Sequence, residues 1–220
     1  MPFQTGTIDA FLAGCQIGDC LHWWGGSPLS KAIEAATHGG PSHVAMVRDP
    51  GDRTLAGVKL VESTQVEVPK KFIGVVERPF GDELGDYQNE RGSGVWCPIR
   101  TEIRANVNWA NWGGAADSQV GNPYDYTRMV TEAYNAFVTA HHLLLIAEIA
   151  NRIAANNAHH SEFCSELWCF LYSWAHVLSP SRVPSLTAPL NSLQAAIYGP
   201  GVQILGAPLA SDFGYNSVSP

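Results

Sequence analysis

Cys164 stands in the run HHSEFCSELWCFLYSW, where Ser161 has the side chain of an N-cap and so places the cysteine in the first turn of a helix. There the helix dipole and free N–H groups stabilise a thiolate, which is how a nucleophilic cysteine is prepared. A thiolate needs a base, and His43, preceded by Ser42 at the mouth of a strand, offers an imidazole. The imidazole in turn needs an acceptor behind it. Glu62 closes the apolar run VKLV on the next candidate strand, and antiparallel neighbours bring such side chains to one face. The chemistry of that set is attack on a carbonyl, with cysteine as nucleophile, histidine as base and glutamate as orienter. Each residue also has a plain use, as a small core residue, a strand-end histidine and a surface carboxylate, and spacing alone leaves both readings open.

Other groupings are weaker. Cys20, in GDCLHWW, falls within a strand candidate too close to His43 for a nucleophile helix to intervene, and reads as core. Cys169 lies about 140° round the helix from Cys164 and reads as packing. Cys15, Cys20 and His22, or the pairs His141–His142 and His159–His160, suggest zinc at first sight. No His-Glu-x-x-His or paired Cys-x-x-Cys is present, so no metal is expected. His160, near the nucleophile in sequence, is a substitute base although residues just before a helix seldom fold back over its first turn, and His22 is one only if the cleft is rearranged. Trp23, Trp24, Trp109 and Trp112 have the rings to stack on sugars but more commonly anchor cores or loops, and NWANWGG (108–114) reads as a loop. The GSG at 92–94 lacks the third glycine of a dinucleotide motif, and no cofactor is expected.

The elements that must carry these residues fall into two halves. The first reads as short strands: 17–24, then 43–47, 58–64, 72–79 and 95–99, with a helix over 27–40 between the first two. The second is helical. Apolar residues recur from Tyr126 to about Ala155, as one long amphipathic helix or two broken near His141, and a further helix spans about 162–178. Beyond Ser179 the chain is rich in proline and glycine and reads as irregular structure wrapping the domain, as a short helix over 191–198, or as a partly mobile tail.

Composition sets the frame. The 220 residues are 45% hydrophobic and 15% charged, enough apolar material for a sizeable core and against general disorder. A formal charge of -7 argues against nucleic-acid binding, which needs a basic face. Five scattered cysteines do not make a disulfide framework and point to a reducing compartment. The start carries Asp9 inside its apolar stretch and no basic region, so it does not read as a secretory signal. The stretch around 143–153 is too short and polar to span a bilayer. The expectation is a cytoplasmic protein, with a virion or secretion without a cleaved signal left open.

Gly18, Asp19, Ser30, Ile33, Thr37, Ser42 and His43, followed by VEST (61–64), GNPYDY (121–126) and FCSELW (163–168), resemble in content and order the motifs of the circularly permuted NlpC/P60 papain-like hydrolases of the YiiX/YaeF type. The likeness covers most of residues 15–175 in short islands. It implies an α+β, permuted papain-like fold in which an antiparallel sheet bearing the base packs against a nucleophile helix. It also implies that Cys164, His43 and Glu62 act as a triad, with Tyr124 and Asp19 as oxyanion or cleft candidates. The catalytic domain would be residues 1–180, with a helical insertion about 127–156 unlike the family's usual connection, and 181–220 would be an extension packed on it. The insertion would cover the cleft or join a second copy of the chain as a homo-oligomer. Substrates would be a peptide, a peptidoglycan fragment or another amide. A likeness to lecithin:retinol acyltransferase-like proteins keeps acyl-lipid substrates open, and a non-catalytic papain-like module is the third reading.

Overall fold

The computed structural model describes residues 4–28, 30, 31, 34, 41–68, 72–123, 171, 172 and 197–206. Their centre is a seven-stranded sheet built from β1 (Gln4–Thr5), β2 (Cys20–Trp24), β3 (His43–Asp49), β4 (Lys59–Val68), β5 (Phe72–Pro79), β6 (Ser93–Cys97) and β7 (Val202–Leu205). The spatial order is β1-β7-β6-β2-β3-β4-β5. β1 runs parallel to β7, and the other neighbours are antiparallel. Around the sheet lie α1 (Ile8–Gly14), α2 (Phe80–Asn89), α3 (Thr101–Arg104) and α4 (Trp109–Gln119). The architecture is α+β.

Side chains of successive strand residues alternate between faces, and here both faces are covered. Leu21, Trp23, Ala45, Val47 and Leu60 point to one side, where Phe11 of α1 and Phe80 and Leu84 of α2 pack on them. Cys20, Val44, Met46, Val61, Val75, Val95 and Cys97 point to the other, with Trp112, Ala115 and Ala116 of α4 and with Leu171, Tyr172 and Tyr198. Sliding one strand by a residue would exchange the two sets and press each into packing shaped for the other, so the packing of both faces fixes the register. That register is what assigns His43 and Glu62 to a face.

α1 and α4 start where side chains supply acceptors. The Thr7 hydroxyl accepts from the Ala10 N–H at 3.0 Å to open α1, and the Asn108 side chain accepts from the Asn111 N–H at 3.0 Å to open α4. Residues 28, 30, 31 and 34 are helical, within the helix expected over 27–40, and the Ser27 hydroxyl accepts from the Ser30 N–H at 3.1 Å.

Three expectations are corrected. The segment 108–114 is the first half of α4 and not a loop, because Asn108 caps it and Trp112, Ala115 and Ala116 form one buried stripe. The chain after 180 is not merely an irregular extension, since Val202–Leu205 forms a sheet strand between β1 and β6. The strand expected at 95–99 runs over 93–97, and Ile99 instead bridges to Tyr198. The long helix expected from 126, the insertion 127–156, and residues 124 and 164 lie outside the described residues.

Candidate active site

β2 and β3 pair with Trp23 opposite His43. Ser42 pins that corner: its N–H donates to the Trp23 carbonyl at 2.8 Å, and its hydroxyl accepts from the Gly25 N–H at 3.0 Å. The first residue of β3 is thereby held against the end of β2. One strand further, Glu62 of β4 lies opposite Ala45, two residues along from His43 and on the same face. The His43 Nε2 and Glu62 Oε2 are hydrogen-bonded, with His43 retaining 11% of its side-chain exposure and Glu62 none.

β5 completes the arrangement. Arg78, opposite Leu60 on β4, turns its Nε onto Glu62 Oε1 as an ion pair and donates from Nη1 to Asp86 of α2 at 2.6 Å. Burial alone would push the Glu62 carboxyl up, but the facing imidazole and guanidinium outweigh it and hold Glu62 below the usual carboxylate range. Glu62 is thus an anion fixed from both sides, and it orients the imidazole through one defined nitrogen.

Two residues of α2 that sequence reasoning did not single out close over this pair. Tyr87 stacks on Trp23 with ring centroids 4.5 Å apart and planes 4° apart, and its ring also lies over that of His43 at 6.3 Å. Gly94 makes room for the stack, because a Cβ there would come within 2.3 Å of the Trp23 ring. Glu83 is the second. It is fully buried, its Oε1 lies 3.7 Å from His43 Nε2, and neither of its oxygens has a hydrogen-bond partner among the described residues. Burial and the neighbouring Glu62 carboxylate push its carboxyl well above the usual range, against the pull of Arg78 and His43. The readable signal was Phe80, Leu84 and Tyr87 at helical spacing after a proline, with Glu83 one position before Leu84.

Asp19, a cleft candidate from the sequence, belongs elsewhere. It is buried just before β2, at the end away from Trp23 and His43, and its carboxylate accepts from the N–H groups of Gln16 and Ile99 and the Trp96 indole, each at 3.0 Å. It also pairs with Arg104. Four donors already occupy it, and their effect is to tie β2, β6 and α3 together. Gly18 before it has φ 82°, a conformation that glycine adopts without strain.

Cys20 and His22 are core residues. The Cys20 sulfur lies 3.2 Å from His22 Nε2 and the Cys97 sulfur 3.6 Å from Nδ1, all fully buried on the face opposite His43. Burial pulls the His22 imidazole down to about 3 and raises the Cys20 thiol well above its usual value. Neither group is prepared for acid–base or nucleophilic work. Trp23, Trp24 and Trp112 are buried, and Trp109 lies against the Arg104 guanidinium at 5.3 Å, so these rings pack the protein rather than line an open sugar site. Leu171 and Tyr172, the described residues of the expected nucleophile helix, pack on the Cys20 face, with the Tyr172 hydroxyl near the Gly18 carbonyl at 2.5 Å.

No protein-family model and no curated protein matches the chain. Among solved structures it is similar to the metalloprotein yiiX from Escherichia coli O157:H7, DUF1105, at 16% identity and a TM-score of 0.43, over 91% of this chain and 92% of that one. A likeness so loose carries no activity across. No helix among the described residues is long and apolar enough to cross a membrane.

Proposed function

We propose that the protein is a cysteine hydrolase that cleaves an amide, whether peptide, isopeptide or N-acyl, through a thioester on Cys164. What supports the reading is the His43–Glu62 hydrogen bond between adjacent strands, with Arg78 behind the carboxylate. Glu62 accepts a hydrogen bond from the Nε2–H, so that Nδ1 is the nitrogen that takes the thiol proton. The sulfur bonds to the carbonyl carbon, the C–N bond breaks, and His43 returns the proton to the departing amine. Water then attacks the thioester, giving up a proton to His43 as the carboxylic acid forms and the thiol is restored. A backbone N–H at Cys164 and the Tyr124 hydroxyl are the proposed donors to the oxyanion. The reading requires Cys164 to reach His43 from a segment whose later residues, Leu171 and Tyr172, pack on the other face.

The test is labelling with iodoacetamide near neutral pH. Cys164 is expected to react faster than an ordinary thiol, and to slow at least about tenfold in His43→Ala. Cys164→Ala should abolish turnover and leave thermal stability nearly unchanged. A Cys164 no more reactive than free cysteine, in a folded protein, would leave the chain as a non-catalytic module. Muropeptides and phospholipids offered side by side separate amide hydrolysis from acyl transfer to or from lipid, by which of them loads Cys164.

A further inference from the structure

Glu83 is the group that the hydrolase reading leaves without a task. A carboxyl with no exposed area and no hydrogen bond to either oxygen among the described residues is costly unless something answers it. It is aimed at the two groups that are already paired. His43 Nε2, one oxygen of Glu62 and one of Glu83 all lie within 4.8 Å of one another.

We propose that His43, Glu62 and Glu83 form a binding site for a single divalent first-row transition ion of the zinc class. One imidazole and two carboxylates are a donor set such ions accept, and three protein ligands leave a position open for water. Bonds of roughly 2.0–2.2 Å in tetrahedral geometry would set the donor atoms about 3–3.5 Å apart. Glu83 Oε1 and His43 Nε2, at 3.7 Å, need to close only slightly, and the Glu62 oxygen must withdraw a little from the ring.

The surroundings are those of a ligand set. Arg78 holds the other oxygen of Glu62 and is itself held by Asp86, so the carboxylate is oriented from behind as metal-binding carboxylates commonly are. Glu62 and Asp86 face the single guanidinium of Arg78, and an arriving divalent cation would displace the proton that burial and Glu62 keep on Glu83. His43, at the margin of the cluster with 11% of its side chain exposed, marks the route by which an ion arrives. The Cys20–His22–Cys97 cluster is a poor competitor, because its two sulfurs lie against opposite nitrogens of one ring and do not converge on a point.

The ion would take the Nε2 electron pair and end the His43–Glu62 hydrogen bond. Nδ1 would then carry the proton and could not receive one from a thiol. Metal binding and thiol hydrolysis would exclude each other, and the ion would act as an inhibitor of the reaction proposed above. The binding itself does not depend on that reaction.

Full-length protein stripped with a chelator and titrated with Co²⁺, then with Zn²⁺ in competition, tests the site directly. The expected result is one equivalent of cobalt with visible d–d bands and no thiolate charge-transfer band. It should be displaced by zinc, unchanged in Cys164→Ser, and at least about tenfold weaker in both Glu83→Gln and His43→Gln. Circular dichroism checks each variant for folding, and His43→Gln, at the edge of the cluster, stands in if Glu83→Gln does not fold. Absence of binding, a thiolate band, or affinity unmoved by the folded variants overturns the site. Failure of the hydrolase reading would look different, with Cys164 unreactive while cobalt still binds.

Discussion

Two histidines on adjacent strands, His22 of β2 and His43 of β3, sit one residue out of step and therefore on opposite faces of the sheet. His22 meets two thiols and the edge of the Tyr198 ring, 6.5 Å between centroids, with every atom buried. His43 meets Glu62, Glu83 and the face of Tyr87 and retains a rim of exposure. Burial and the nearby His43 oppose an imidazolium in the first environment, whereas the second places a fixed anion on one nitrogen. The same side chain becomes a packing unit on one face and a group with chemistry on the other. What separates them is the alternation of a strand and the position of the carboxylates on β4 and α2.

The comparison breaks most sharply at Arg78. Arg78→Met leaves Glu62, Glu83 and Asp86 without their cation and is expected to cost about 3–5 kcal/mol in urea unfolding. A loss below about 1 kcal/mol would mean that the carboxylates do not depend on the guanidinium. The His22 face should respond to acid instead. Its imidazole titrates near 6.5 when unfolded and about 3 when folded. The unfolded chain therefore binds more protons between those values, and stability is lost as pH falls through that window. At pH 4 the loss from this residue is about 3 kcal/mol, and His22→Gln should flatten that part of the stability profile. An unchanged slope in the variant would place the acid sensitivity elsewhere.

Sequence pattern carried the sheet because strand alternation is local. β5 occupies the expected 72–79, β3 begins at the expected His43, and the reading that put His43 and Glu62 on one face needed only period-two counting. Glu83 escaped because α2 is short, holds Gly81 and Gly85, and mixes acids into its apolar stripe. Gly113 and Gly114 likewise disguised α4, although Asn108 was a cap in plain view. Asp19 was misplaced for another reason. Its partners Trp96, Ile99 and Arg104 stand some eighty positions away in sequence, and no local rule reports how a carboxylate will be satisfied across that distance. The strand at Val202–Leu205 is of the same kind, a short segment whose state is set by the β6 edge it joins.

The smallest expected effect refines the contrast at the ring that touches both sets of groups. Tyr87 lies between Trp23, which is core, and His43, which is not. Tyr87→Leu keeps an apolar side chain there but removes both ring contacts, worth about 0.5–1.5 kcal/mol for an aromatic pair beyond the area buried. If Tyr87 only fills the core, the loss should appear in thermal stability alone and the His43 ring proton resonances should stay in place. If it also sets the tilt of the imidazole toward Glu62, those resonances should shift and Cys164 labelling should slow by a few fold while the protein remains folded. A stable variant with unmoved resonances would assign the orientation of His43 to Glu62 and Arg78 alone, and α2 would then serve the site only through Glu83 and Asp86.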